Sequence, residues 1–281
     1  MDHRQRIFNA PGVVVWLLTT FFAVHLLLWV LLPASENEQL VLALAFIPAR
    51  IVGGAGDLPG GHVAVLTSFV THQFVHGNLP HLLVNAAWFL AFGTPIARRT
   101  DVWRFLAFFV TCGVAGALVY LAINGEARVL MVGASGSISG LMGAAFRFVF
   151  RGLRETAAPG MNRAMNTSMN TSMNPGTNPG TAPGTTPGTT PGTNRSMHSG
   201  INLGMSAPLM SLSETLRDRR ILAVIVGWTV LNVLLAEGAS GLTEAAGIAW
   251  EAHLGGFYAG LLLYGFFDRP PRLAGDSAGA E

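Results

Sequence analysis

Six runs of apolar residues, at roughly 13–32, 81–97, 103–123, 135–150, 221–236 and 248–267, divide the chain. A helix of roughly 20 residues is needed to cross a hydrocarbon core about 30 Å thick, and runs of this length predict membrane-spanning helices. The fold class expected is therefore an all-α integral membrane protein with six transmembrane helices. Pro33-Ala34-Ser35 follows the first run in the manner of a cleavage site. That run is longer than a signal-peptide core, however, and five more follow it, so it reads as an uncleaved anchor.

Two connectors break the pattern. Residues 33–80 form a long loop in which Leu40–Ile47 is apolar but too short to span and is limited by Pro48, so it reads as interfacial or re-entrant. Gly53, Gly54, Gly56, Pro59, Gly60 and Gly61 then predict irregular backbone. Residues 155–212 are low in complexity: Asn-Thr-Ser-Met repeats give way to Pro-Gly-Thr tetrads starting at Pro175, Pro179, Pro183, Pro187 and Pro191. Such a composition buries too little apolar surface to offset its chain entropy, which predicts a disordered insertion. The chain thus divides into helices one to four at 1–154, a linker at 155–212, helices five and six at 213–268, and a tail at 269–281. Leu212–Arg220 is expected to form a short amphipathic helix before the fifth span.

Composition agrees and adds an orientation. Hydrophobic residues make up 51% of the 281 positions against 11% charged, and all 17 basic residues are arginine. With the N-terminus inside, only Arg50 and Arg128 fall on the outer side, and the other arginines lie at the cytoplasmic ends of spans, in cytoplasmic loops or in the tails. Both termini and the insertion are then cytoplasmic, and the location expected is a cell membrane, the inner membrane of a bacterium. Asn166-Thr167-Ser168 matches a glycosylation acceptor but falls on the side where that chemistry does not occur. Scattered arginines and a net charge of +2 give no nucleic-acid interface. The single cysteine, Cys112, excludes a disulfide framework and a cysteine-based zinc site.

The same orientation puts the starts of spans two, four and six in the outer leaflet, and each start carries polar chemistry. Span four begins with Ser135. Gly136, Gly140 and Ala144 follow at four-residue spacing and form one small face that lets another helix approach closely. Span six answers with Gly256 and Gly260, and His253 stands one turn before them. Span two offers His81 and Asn85 on a shared face. Polar groups inside spans mark functional sites or interhelical bonds. These parts suit acyl transfer: a serine hydroxyl needs a base in reach, and the oxyanion needs preorganised donors, each worth about 10²–10³ in rate. His81, Asn85 and the Ser135 backbone N–H are candidate donors. Glu251 lies two positions from His253 and faces elsewhere, so a Ser135–His253 dyad is expected.

Four motifs carry a resemblance. Gly133-Ala134-Ser135-Gly136 resembles the GxSG of the rhomboid intramembrane serine proteases, Ala252-His253 with Gly256 resembles their AHxxG, His81 with Asn85 their HxxxN, and His76 a family histidine just upstream. The resemblance covers about 1–154 and 217–268. It implies a six-helix bundle with a water-filled cavity open to the outside and lateral entry of substrate helices between spans two and five. It makes Ser135 the nucleophile, His253 the general base, and His81 and Asn85 the oxyanion stabilisers, with His76 and Gly133 in support. Substrates would be single-pass or multi-pass membrane proteins cleaved near the outer leaflet, with no cofactor. The chain departs from the family in three ways. It lacks a Trp-Arg pair before the Thr67–Phe69 stretch, and it has Ser139 where several members place an aromatic on the base. It also carries the long repeat insertion.

Three other readings compete. A non-catalytic rhomboid-like protein would bind membrane clients, but such proteins typically lose the serine or the histidine. A transporter would be expected to carry intramembrane carboxylates, and no acidic residue falls well inside a span. A metal site among His72, His76 and His81 has no carboxylate or fourth ligand nearby. His25 is expected to make an interhelical polar contact, and His62 and His72 are given no role.

Overall fold

The computed structural model describes residues 10–157, 208–242 and 249–269 and, within them, the side chains of residues 10–151, 208–234 and 249–269. Among these residues the structure is helical, with no strand beyond one isolated bridge. The helices are α1 (Gly12–Leu26), α2 (Ala34–Leu44), α3 (Pro48–Ile51), α4 (Gly61–Thr71), α5 (Leu79–Ala97), α6 (Val102–Asn124), α7 (Ser135–Ala157), α8 (Leu212–Arg217), α9 (Arg219–Leu242) and α10 (Trp250–Leu263). Each apolar run overlaps one of α1, α5, α6, α7, α9 or α10. Among the described residues three segments, Gly12–Leu31, Leu79–Ala97 and Val102–Asn124, are long and apolar enough to cross a membrane. Much of their surface is not covered by the fold: Trp16, Val30, Trp88 and Trp103 are all more than half exposed. Apolar surface of this extent belongs in lipid, and the protein is an integral membrane protein.

Helix ends follow their local chemistry. The Asn78 side chain accepts from the His81 N–H at 2.8 Å, and Pro80 occupies the first turn of α5. Asp101 accepts from the Arg104 N–H at the start of α6. Ser211 and Glu214 form a reciprocal capping box on α8. Beyond α1, residues Leu27–Leu31 form a wider π-turn, closed by Leu32 N–H donating to the Leu27 carbonyl.

Three helices form the seam that carries the site. A Cβ on Gly256 would collide with the Gly136 carbonyl oxygen, and one on Gly260 with that of Gly140, so α7 and α10 touch backbone to backbone. On the other side of α10, Gly255 lies against Ala115 and Val119 of α6, and Gly116 of α6 lies against the Ala252 carbonyl. Cys112 is fully buried and packs on Gly140.

The first loop is more structured than the sequence suggests. Its irregular, glycine-rich stretch resolves into a short 3₁₀ turn, Gly54–Asp57, followed by α4. Phe46 exchanges backbone hydrogen bonds with Met131, at 3.0 and 2.8 Å, which binds the short apolar stretch to the loop before α7. Arg50, assigned only a topological role above, is fully buried and donates to the carbonyls of Ala45 at 2.7 Å and Pro59 at 3.0 Å.

The linker boundaries also shift. Helix α7 runs on to Ala157, three residues into the segment read as disordered. At the far end Met210 is buried, and its carbonyl accepts from the Arg147 guanidinium at 3.0 Å. Residues 158–207, with most of the repeats, lie outside the described residues. The chain separates into two compact units, residues 1–147 with 209–281 and residues 148–208.

Candidate active site

Ser135 is the first residue of α7, and the turn before it has one strict requirement. Gly133 takes φ +117°, a left-handed value that a side chain rarely adopts, and a Cβ there would lie 2.8 Å from His81 ring atoms. The turn is held from the first loop, because the Gly133 N–H donates to the His72 carbonyl at 2.9 Å. Two residues along α7, Ser137 donates to Gln73 Oε1 at 2.8 Å, both groups being buried. The first loop therefore clasps the head of α7 twice.

His253 lies in the first turn of α10. The glycine contacts one turn further on set its distance from α7, and its Nε2 sits 2.9 Å from Ser135 Oγ. His81 and Asn85, one turn apart on α5, line the same cavity of about 650 Å³ as Ser135 and His253. Asn85 is buried, and its Nδ2 donates to the His81 carbonyl at 3.0 Å, which leaves the second amide hydrogen for another acceptor. The Ser135 N–H is one of the first-turn donors that a helix leaves without an internal partner. The cavity is amphipathic: Val84, Trp88, Phe92, Ile138, Met142 and Trp228 supply its apolar lining, and Asn78, Ser139 and Asn232 join the site residues on its polar part.

His76 does not reach the cavity lining. It is fully buried beneath His81, with ring centroids 5.3 Å apart, and packs on Phe21 at 5.4 Å. Burial, aided by repulsion from the neighbouring His81 charge, pushes its imidazole down to about 3, so it stays neutral. Burial likewise lowers His72 to about 4, opposed by its Nδ1 contact with the Ser68 carbonyl at 2.7 Å. Among the described residues no group of three or more His, Cys, Asp or Glu side chains is arranged to hold a metal ion. Glu251 is turned away from the site and accepts from Asn124 at 3.0 Å.

Sequence reasoning missed one site residue. Asn232 on α9 places Oδ1 2.9 Å from His253 Nδ1 and is 2% exposed. Its signal was a lone amide in the apolar run Val230-Leu231-Asn232-Val233-Leu234, the kind of intramembrane polar group that warrants a functional reading.

Residues 64–167 match the family model for the Rhomboid domain. Over this stretch, a little over a third of the chain, the sequence is similar to the rhomboid family. No curated protein matches the chain. The rhomboid match spans most of α4 through α7 and so contains His72, His76, His81, Asn85 and Ser135. His253 and Asn232 lie outside it, on the two helices that the fold returns to the same cavity.

Proposed function

We propose that the protein is an intramembrane serine endopeptidase that cleaves transmembrane helices of other membrane proteins near their outer ends. The observation that carries this is the 2.9 Å approach of Ser135 Oγ to His253 Nε2 at the wall of a cavity with an apolar lining. His253 takes the Ser135 proton as Oγ attacks the scissile carbonyl. The Asn85 amide, the His81 ring and the Ser135 N–H are the donors available to the oxyanion. Collapse of the tetrahedral intermediate passes the proton from His253 to the leaving amine and leaves an acyl-enzyme. Water, activated by the same imidazole, then hydrolyses that ester.

In this reading the six apolar runs all span the bilayer, both termini are cytoplasmic, and the dyad lies in the outer half of an inner membrane. Substrate helices enter laterally between α5 and α9. The apolar side chains that these two helices contribute to the cavity suit an unwound hydrophobic segment. Purified protein is expected to cleave a model single-pass substrate in detergent, and Ser135→Ala to lower kcat by at least about 10³-fold. Cleavage by Ser135→Ala at the parent rate overturns the proposal.

A further inference from the structure

The Asn232 amide has two described partners, and together they fix its orientation. Its Nδ2 donates to the Trp228 carbonyl, one turn back on α9, at 2.9 Å. A carbonyl only accepts, so the NH₂ end must face Trp228 and Oδ1 must face the other way, toward His253 Nδ1 at 2.9 Å. An amide oxygen only accepts as well, so Nδ1 must carry the ring hydrogen. A neutral imidazole then has one bare nitrogen, Nε2, and this is the atom 2.9 Å from the Ser135 hydroxyl.

We propose that Asn232 is the positioning residue of a Ser135–His253–Asn232 arrangement, fixing the tautomer and ring plane of His253 so that Nε2 is always the proton acceptor. The proposal rests on the protease reading above. During attack the proton passes from Ser135 Oγ to Nε2, Nδ1 keeps its hydrogen, and Asn232 gains and loses nothing. The Nδ1–H···Oδ1 bond becomes charge-assisted as the imidazolium forms and so is stronger when it is needed. An amide does this without adding a permanent buried charge, which would be costly inside a bilayer. Among the described residues no other takes this place: Glu251 is bonded to Asn124, and Ser139, one turn beyond Ser135, has no ring to pack on the base. The contact also makes the geometry of the base depend on α9, a helix from a different part of the chain.

The test uses the full-length protein in lipid bilayers with ¹⁵N-labelled histidine. At pH 8 the His253 resonances, assigned by their loss in His253→Gln, are expected to show a protonated Nδ1 and a bare Nε2. In the cleavage assay Asn232→Leu is expected to lower kcat about 100-fold with KM changed less than about threefold, and Asn232→Asp to recover kcat to within about tenfold of the parent. A protonated Nε2 in the parent overturns the proposal. So does an Asn232→Leu variant with parental kcat, or one whose loss Asn232→Asp fails to repair. If Asn232→Leu does not fold, the parent spectrum and the Asp variant decide the matter. Failure of the protease reading looks different: the parent then neither cleaves nor reacts with a serine-directed probe, whatever tautomer the spectrum shows.

Discussion

Along the α7–α10 seam, Gly256 and Gly260 rest on the carbonyls of Gly136 and Gly140, whereas α5 and α9 contribute Val84, Trp88, Phe92 and Trp228 to the cavity lining. The first arrangement has no room for even a methyl group. The second is a space of about 650 Å³ bordered by large side chains. The proposed chemistry falls on the close-packed side, where a proton transfer would require two atoms on separate helices to stay within about 3 Å. Backbone contact between helices holds such a distance better than rotatable side chains do. The side that would admit a helix has no such restriction. Asn232 is the exception, since it reaches the base from α9 and lets the looser side bear on the tighter one.

The largest effect is expected where the seam is broken. Gly256→Val places three carbons where the Gly136 backbone already stands, so α10 must move away from α7. We expect a loss of at least about 3 kcal/mol in unfolding free energy measured in detergent, together with loss of activity. A variant as stable as the parent contradicts the seam as described.

A second, intermediate effect comes from the first loop, which clasps the head of α7. His72 and His76 are held neutral down to about 4 and about 3 in the folded protein, while an unfolded histidine protonates near 6.5. Unfolding therefore takes up protons below pH 6.5. Stability is highest above that value and falls as the pH drops toward 4, by on the order of 1 kcal/mol per pH unit for each histidine. The unfolding midpoint is expected to fall steadily between pH 7 and pH 5, and a level midpoint contradicts the buried neutral state.

The smallest stability effect belongs to the cavity lining. Trp88 is half exposed and stacks on Phe92 with ring centroids 5.6 Å apart. Trp88→Ala is expected to change unfolding free energy by less than about 1 kcal/mol while raising KM about three- to tenfold, with kcat little altered, as loss of uniform binding requires. A large stability loss, or a fall confined to kcat, removes the distinction between the two sides.

The same contrast explains what the chain alone made legible. Helix-to-helix glycine contacts leave a four-residue period in the sequence, so Gly136, Gly140, Gly256 and Gly260 pointed to a seam, and Ser135 and His253 stood at its head. His81 and Asn85 were visible as a pair on one helical face. Asn232 had no periodic companion, and its partner lies 21 positions away across residues with no motif of their own. Arg50 registered in the sequence only as a charge on the outer side, because nothing in Pro48-Ala49-Arg50 announces the carbonyls of Ala45 and Pro59 that the loop folds around it. Hydropathy gave helix positions well, since the segment Gly12–Leu31 and helices α5 and α6 begin and end within about two residues of their apolar runs. It was weaker for α7, whose small and hydroxyl-bearing residues serve close helix packing and the first-loop contact of Ser137.

The proposed hydrolysis depends on the Ser135 hydroxyl being made nucleophilic by His253. The most direct measurement is covalent labelling of the folded protein in detergent by a fluorophosphonate, with the adduct mapped by mass spectrometry. The account predicts one modified residue, Ser135, with labelling lost in His253→Gln while the unfolding midpoint stays near that of the parent. Absence of labelling in the parent, or equal labelling of Ser135 with and without His253, would contradict it.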